Sequence, residues 1–117
     1  MKYYELKYRL PMSHSSSSDK TKSHHHVIEI TVFAELKEQP FVEFNDMDFV
    51  LKECLDVYRN QYLNDMEEFH GDTSIENMTE VFFAKISKRF SQNSWKLTKI
   101  EVGENPLRVY IIGTRNI

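Results

Sequence analysis

The sequence predicts an α+β fold in the order β-β-α-α-β-β, with both helices on one face of a four-stranded antiparallel sheet. Three observations carry this reading. Apolar residues alternate with polar ones in two early stretches. They recur at helical spacing in two middle stretches, and alternate again in two late ones. Strand side chains switch faces at every residue, whereas helical ones return to a face every ~3.6 residues, so the two periods separate the element types. Two hairpins flanking a helix pair bury both apolar surfaces when the helices lie on one side of the sheet.

The first strand is read over residues 2–12, where Tyr4, Leu6, Tyr8, Leu10 and Met12 share a face opposite Glu5, Lys7 and Arg9. The second spans 27–36, with Ile28, Ile30, Val32, Ala34 and Leu36 opposite Glu29, Thr31 and Glu35. The polar run from His14 to Ser23 joins them, and its serines, Ser15 to Ser18, read as a flexible connection. Over 46–62 the period becomes helical: Met47, Val50, Leu51, Cys54 and Tyr58 form a stripe. Asn45 reads as its N-cap, with Phe44 as the hydrophobic staple. The acidic stretch Asn64 to Asp72 separates this helix from a second over 74–90, striped by Ile75, Met78, Phe82 and Ile86. Thr73 to Glu76 has the form of a capping box. Thr98, Ile100 and Val102 mark a third strand, Gly103 to Pro106 a turn, and Leu107, Val109 and Ile111 the apolar face of a fourth. Unpaired sheet edges point to oligomerisation.

The 117 residues fit one domain, 1–117. Fifteen Lys+Arg against eighteen Asp+Glu give a net charge of −3, and a pI near 5.9 lacks the basic excess of a nucleic-acid binder. No apolar run approaches the ~18 residues of a membrane-spanning helix. The charged start MKYYELKYRL lacks the apolar core of a secretion signal. A single cysteine, Cys54, excludes an intrachain disulfide framework and a multi-cysteine zinc site, and suits a reducing cytoplasm.

The histidines carry the chemistry. His14 continues the even face of the first strand, and His24 and His26 begin the even face of the second. In a hairpin the end of one strand lies opposite the start of the next, with cross-strand Cβ atoms ~5 Å apart. His14, His24 and His26 therefore converge, while His25 points away. Three imidazoles suit zinc and leave a fourth position open, the pattern of catalytic sites. A histidine triplet also fits a solvent-exposed strand end. His25 and His70 read as solvated surface side chains.

With these residues in place, the chain resembles the 6-pyruvoyltetrahydropterin synthase and 6-carboxytetrahydropterin synthase family over nearly its whole length. The family's T-fold has the same β-β-α-α-β-β order. Leu10-Pro11-Met12-Ser13-His14 and His24-His25-His26 align with its strand-borne histidine and its His-x-His. Phe41 to Met47 resembles the entry to its first helix, and Tyr62-Leu63-Asn64-Asp65 its Tyr-Leu-Asn-Asp. Thr73 to Asn77 is similar to its Pro-Thr-x-Glu-Asn, and Ile100 to Glu104 to its Val-x-Val-x-Glu. The resemblance implies Zn2+ on His14, His24 and His26, and a pterin held by Glu104, Ser74 and Ile75. A carboxylate accepts two hydrogen bonds from the 2-amino and N3 groups of a pterin. It also implies a homo-oligomer, commonly a hexamer, with the pocket at a subunit interface and Glu104 serving a neighbour's zinc. The activity implied is a lyase acting on 7,8-dihydroneopterin triphosphate or a relative, in queuosine or folate biosynthesis.

The departures bear on catalysis. The family's cysteine base, four residues before His-x-His, aligns with Lys20. Its Asp-His pair aligns with Arg59 and Asn60, neither of which can relay a proton. Lys20 is the candidate replacement base, with Asp19 and Ser23 nearby. Cys54 lies on the apolar stripe of the first helix and reads as a small core residue. Two functions remain: a zinc-dependent pterin synthase with an altered proton relay, or a degenerate pterin- or purine-binding or structural homologue that keeps the zinc site.

Overall fold

The computed structural model describes residues 2–16 and 20–114, so Ser17, Ser18 and Asp19 of the polar loop lie outside the described residues. The elements are β1 (Tyr4–His14), β2 (His24–Leu36), α1 (Phe44–Leu55), α2 (Ile75–Ser91), β3 (Trp95–Asn105) and β4 (Arg108–Gly113). The order is the predicted one, and the four strands form one antiparallel sheet in the order β1-β2-β3-β4. β1 runs on to His14 and β2 starts at His24, so the histidines belong to the strands and not to the loop.

The hairpin register pairs Leu6 with Val32, Tyr8 with Ile30, Leu10 with Ile28 and His14 with His24. The even residues of both strands form the face under the helices, where Leu10, Ile28, Ile30, Val32 and Ala34 are fully buried. β3 joins this face through a bulge opposite Phe33 and Ala34. Trp95 and Leu97 lie inward before it, and Ile100 and Val102 after it. The extra residue is Thr98, whose hydroxyl donates to the Phe33 carbonyl at 3.0 Å. Alternation from Thr98 onward did not reveal the two core residues upstream, because a bulge reverses strand parity.

α1 starts two residues earlier than predicted and ends seven earlier. Its N-cap is Glu43, without a side-chain cap bond, and Asn45 lies inside the helix. Beyond Leu55 the chain tightens into a 3-10 turn, Asp56–Tyr58, and then leaves the helical path. Tertiary bonds outcompete further helix there: Asn60, at φ +60°, donates its backbone N–H to the Pro11 carbonyl at 2.7 Å. The Arg59 guanidinium donates to the Arg9 carbonyl at 3.0 Å and to the Tyr8 hydroxyl at 3.3 Å. The Tyr8 hydroxyl in turn donates to the Asp56 carboxylate.

The acidic separator is structured too. Its 3-10 turns at Leu63–Asp65 and Glu67–Phe69 bury Leu63 and Phe69 completely. Phe69, Tyr58 and Phe82 form an aromatic trio with ring centroids 5.4–6.0 Å apart. α2 is capped one residue later than the capping-box reading. Ser74 Oγ accepts the Asn77 N–H at 3.2 Å, while Thr73 is buried and turned to other partners. Ser74→Ala is expected to lower stability by about 1 kcal/mol, the usual cost of a lost N-cap. A urea midpoint shift at unchanged slope would show it.

β4 corrects a further expectation. Its register puts Tyr110 and Ile112 opposite Val102 and Ile100, on the helix side. Val109 and Ile111 instead lie on the open face, 47% and 49% exposed, and Leu107 lies in the turn before the strand, 92% exposed. Gly103 makes the close β3–β4 approach possible, since a Cβ there would stand 2.7 Å from the Arg108 carbonyl oxygen. Glu104, expected in a turn, is instead the penultimate residue of β3, and the chain reverses at Pro106 and Leu107. No helix among the described residues is long and apolar enough to cross a membrane.

Candidate metal centre and adjoining cleft

Register and parity bring His14, His24 and His26 together at the open end of the β1–β2 hairpin. One ring nitrogen from each lies within 4.8 Å of the others. The ring centroids are 4.4–4.9 Å apart. His14 is buried, His26 half-buried and His24 exposed, so the cluster opens on one side. His25 is exposed and pairs with Ser13 in the register, on the other face. His70 is exposed at the end of a 3-10 turn.

His14 shows what the cluster suits. Its Nδ1 lies 3.1 Å from the Thr73 carbonyl oxygen, which can only accept, so Nδ1 carries the proton. Nε2 is then a lone pair, and it is buried with no hydrogen-bond partner. A buried unsatisfied acceptor is costly, and a metal ion held jointly with the nitrogens of His24 and His26 would satisfy it. Burial lowers the His14 pKa below the ordinary imidazole value. His24 and His26 act in the same direction, while the Thr73 carbonyl and Glu104 oppose it. The neutral, ligating form is thereby favoured.

Asn64, which the sequence left without a role, and Thr73, read there as part of a capping box, hold this ring. Asn64 clamps the end of β1: its Oδ1 accepts the Ser15 N–H at 2.9 Å and its Nδ2 donates to the Ser15 carbonyl at 2.9 Å. The same Oδ1 accepts the Thr73 hydroxyl at 3.1 Å. The side chain thus ties the β1 terminus to the entry of α2 and fixes the carbonyl on which His14 rests. Its signal was present in Tyr62-Leu63-Asn64-Asp65, but no ligand-type chemistry marked it. Asn64→Ala is expected to weaken metal binding at the trio, because it releases the clamp that holds Thr73 against His14. Competition with a chromophoric chelator measures it.

A cleft of about 430 Å³ opens beside the cluster, lined by His14, Thr73, Ser74, Ile75, Glu104 and Arg108 among others. The three residues expected to hold a pterin therefore share one cavity with one of the histidines, at a volume usual for small-molecule sites. Glu104 is 37% exposed in its side chain, and its Oε1 lies 3.5 Å from His14 Nε2 and 3.9 Å from His26 Nε2. Glu104 thus stands at its own chain's histidines.

The candidate relay positions are engaged elsewhere. Lys20 Nζ pairs with Asp65 at 3.1 Å and lies 5.0 Å from the centre of the Tyr62 ring. Arg59 and Asn60 fasten the end of α1 to β1, as described above. Cys54 is buried in the core, and burial raises its thiol pKa, as expected of a packing residue.

Comparison with known proteins agrees with the architecture. The chain is similar to 6-pyruvoyl tetrahydropterin synthase from Caenorhabditis elegans at 18% identity and a TM-score of 0.79, over 96% of this chain and 94% of that one. It is similar to the Plasmodium vivax 6-pyruvoyl tetrahydropterin synthase at 8% identity and a TM-score of 0.60, over 96% and 98% of the two chains. An uncharacterized protein from Wolinella succinogenes aligns at 11% identity and a TM-score of 0.54, over 98% and 100%. No curated protein matches in sequence. These likenesses establish the T-fold. The model of the 6-pyruvoyl tetrahydropterin synthase family matches residues 2–114, and the chain belongs to that family.

Proposed function

We propose that this chain is a zinc-dependent lyase of the pterin synthase type, acting on 7,8-dihydroneopterin triphosphate or a related pterin. The observation that carries the reading is the histidine trio, with the His14 Nε2 lone pair buried and unpaired, beside a cleft that also holds Glu104, Ser74 and Ile75. His14, His24 and His26 would hold the zinc. A zinc ion supplies Lewis-acid polarisation of a carbonyl or hydroxyl oxygen. Glu104 takes the pterin ring through its 2-amino and N3 groups, a two-point match for a carboxylate. The exposed Ser74 and half-buried Ile75, at the start of α2, border the ring. The working form is a cytoplasmic homo-oligomer, a hexamer in the family manner, since β1 and β4 are sheet edges.

The second reading, a pterin- or purine-binding homologue without turnover, is favoured by the Lys20–Asp65 pair and by the bonds that occupy Arg59. General acid–base groups contribute ~10²–10⁴-fold to rate, so their absence gives a slow enzyme or none. Mass spectrometry of zinc-loaded protein incubated with 7,8-dihydroneopterin triphosphate separates the two. A new pterin that accumulates with the protein supports the synthase. Unchanged substrate, bound by calorimetry, supports the binding protein. Neither turnover nor binding overturns both.

A further inference from the structure

A carboxylate of the same chain stands beside the trio, next to two of its three members. Donors ~2.0–2.1 Å from a tetrahedral zinc stand about 3.3–3.4 Å from one another. Glu104 Oε1 is 3.5 Å from His14 Nε2 and 3.9 Å from His26 Nε2, close to one such edge in both directions. At 3.5 and 3.9 Å both contacts are longer than an ordinary hydrogen bond. With Nδ1 set against the Thr73 carbonyl, His14 turns Nε2 toward the carboxylate oxygen, as His26 does. A cation placed between the two ring nitrogens and the carboxylate oxygen would engage all three at once. Among the described residues, no lysine or arginine forms an ion pair with Glu104, although Arg108 lines the same cleft.

We infer that Glu104 is a fourth protein ligand of the metal in the substrate-free protein, closing a site of three histidines and one glutamate. The inference rests on the metal-site reading above. It gives one carboxylate two alternative partners. With the cleft empty, Glu104 completes the metal's coordination, as four protein ligands do in closed structural sites. When a pterin enters, its 2-amino and N3 donors compete for the carboxylate, and the position that Glu104 leaves becomes available to the substrate's side chain. Opening of the metal is thereby coupled to recognition of the ring. The position in the fold suits this. Glu104 is the penultimate residue of β3, beside the chain reversal, and its side chain is exposed enough to swing.

The test uses the full chain loaded with Co2+ as a visible probe, and zinc affinity measured by chelator competition. The variants are Glu104→Ala and, as a control for the site, His24→Ala. Thermal melts of the chelator-treated proteins check folding, which truncation of an exposed side chain leaves intact. The expected result is a visible cobalt spectrum altered in band position or intensity in Glu104→Ala, with zinc affinity lower by more than ~10-fold. A Glu104→Ala cobalt spectrum that superimposes on the unsubstituted protein's overturns the inference and leaves the three-histidine site standing. An unsubstituted protein that binds neither ion, or binds no better than His24→Ala, overturns the site and the inference together.

Discussion

Replacing His24 with alanine is expected to abolish stoichiometric zinc binding and, with it, any pterin conversion. His24 is the exposed member of the trio, so its loss leaves the core untouched. What it removes is one of three nitrogens that lie within 4.8 Å of each other. Losing an outer partner of a metal-bound histidine already costs ~10–100-fold in affinity, and a missing ligand should exceed that. Elemental analysis after dialysis gives the metal content, and mass spectrometry of the reaction gives the product. A melting temperature unchanged in the chelator-treated protein would show that the effect is local. Retained zinc at one per chain would reject His24 as a ligand.

The second large effect is on stability. Phe82→Ala is expected to cost ~3–5 kcal/mol, the range for a fully buried aromatic. Phe82 is completely buried in α2, with its ring centroid 5.4 Å from that of Tyr58 and 6.0 Å from that of Phe69. The trio joins three segments: the turn after α1, the separator and α2. A cavity at its centre therefore weakens all three at once. Against a total stability of ~5–15 kcal/mol, such a loss is a large fraction. Urea unfolding of the two proteins would measure it, and a difference below ~1 kcal/mol would mean that the neighbours collapse into the space. Separator and helix are coupled elsewhere too, since Asn77 Nδ2 donates to the Phe69 carbonyl at 3.0 Å and the Asp72 carbonyl at 2.7 Å.

These two sites differ in how they could be read. The His14–His24 pairing follows from strand period and hairpin geometry, both local properties, and the parity argument found it without knowledge of the sheet. Phe69 lies in a stretch of acids and a glycine, where no period marks it as buried. Its place in the core is set by Tyr58 and Phe82, which are distant in sequence or on other elements.

Sequence alone determined the element order, the antiparallel hairpins, the even core face of β1 and β2, and the convergence of three histidines. Side-chain alternation and helical spacing are short-range patterns, so a linear reading carries them. Tertiary structure decided the rest. The end of α1 was set by bonds from Arg59 and Asn60 to β1, which outcompete further helix. The burial of Trp95 and Leu97 was set by a bulge that reverses parity. Val109 and Ile111 face outward because the β3–β4 register puts Tyr110 and Ile112 under the helices. The roles of Asn64 and Thr73 in holding His14, and the approach of Glu104 to two imidazoles, join strand ends, a turn and a helix start. Those contacts depend on where separate elements meet in space, and no spacing within one element encodes that.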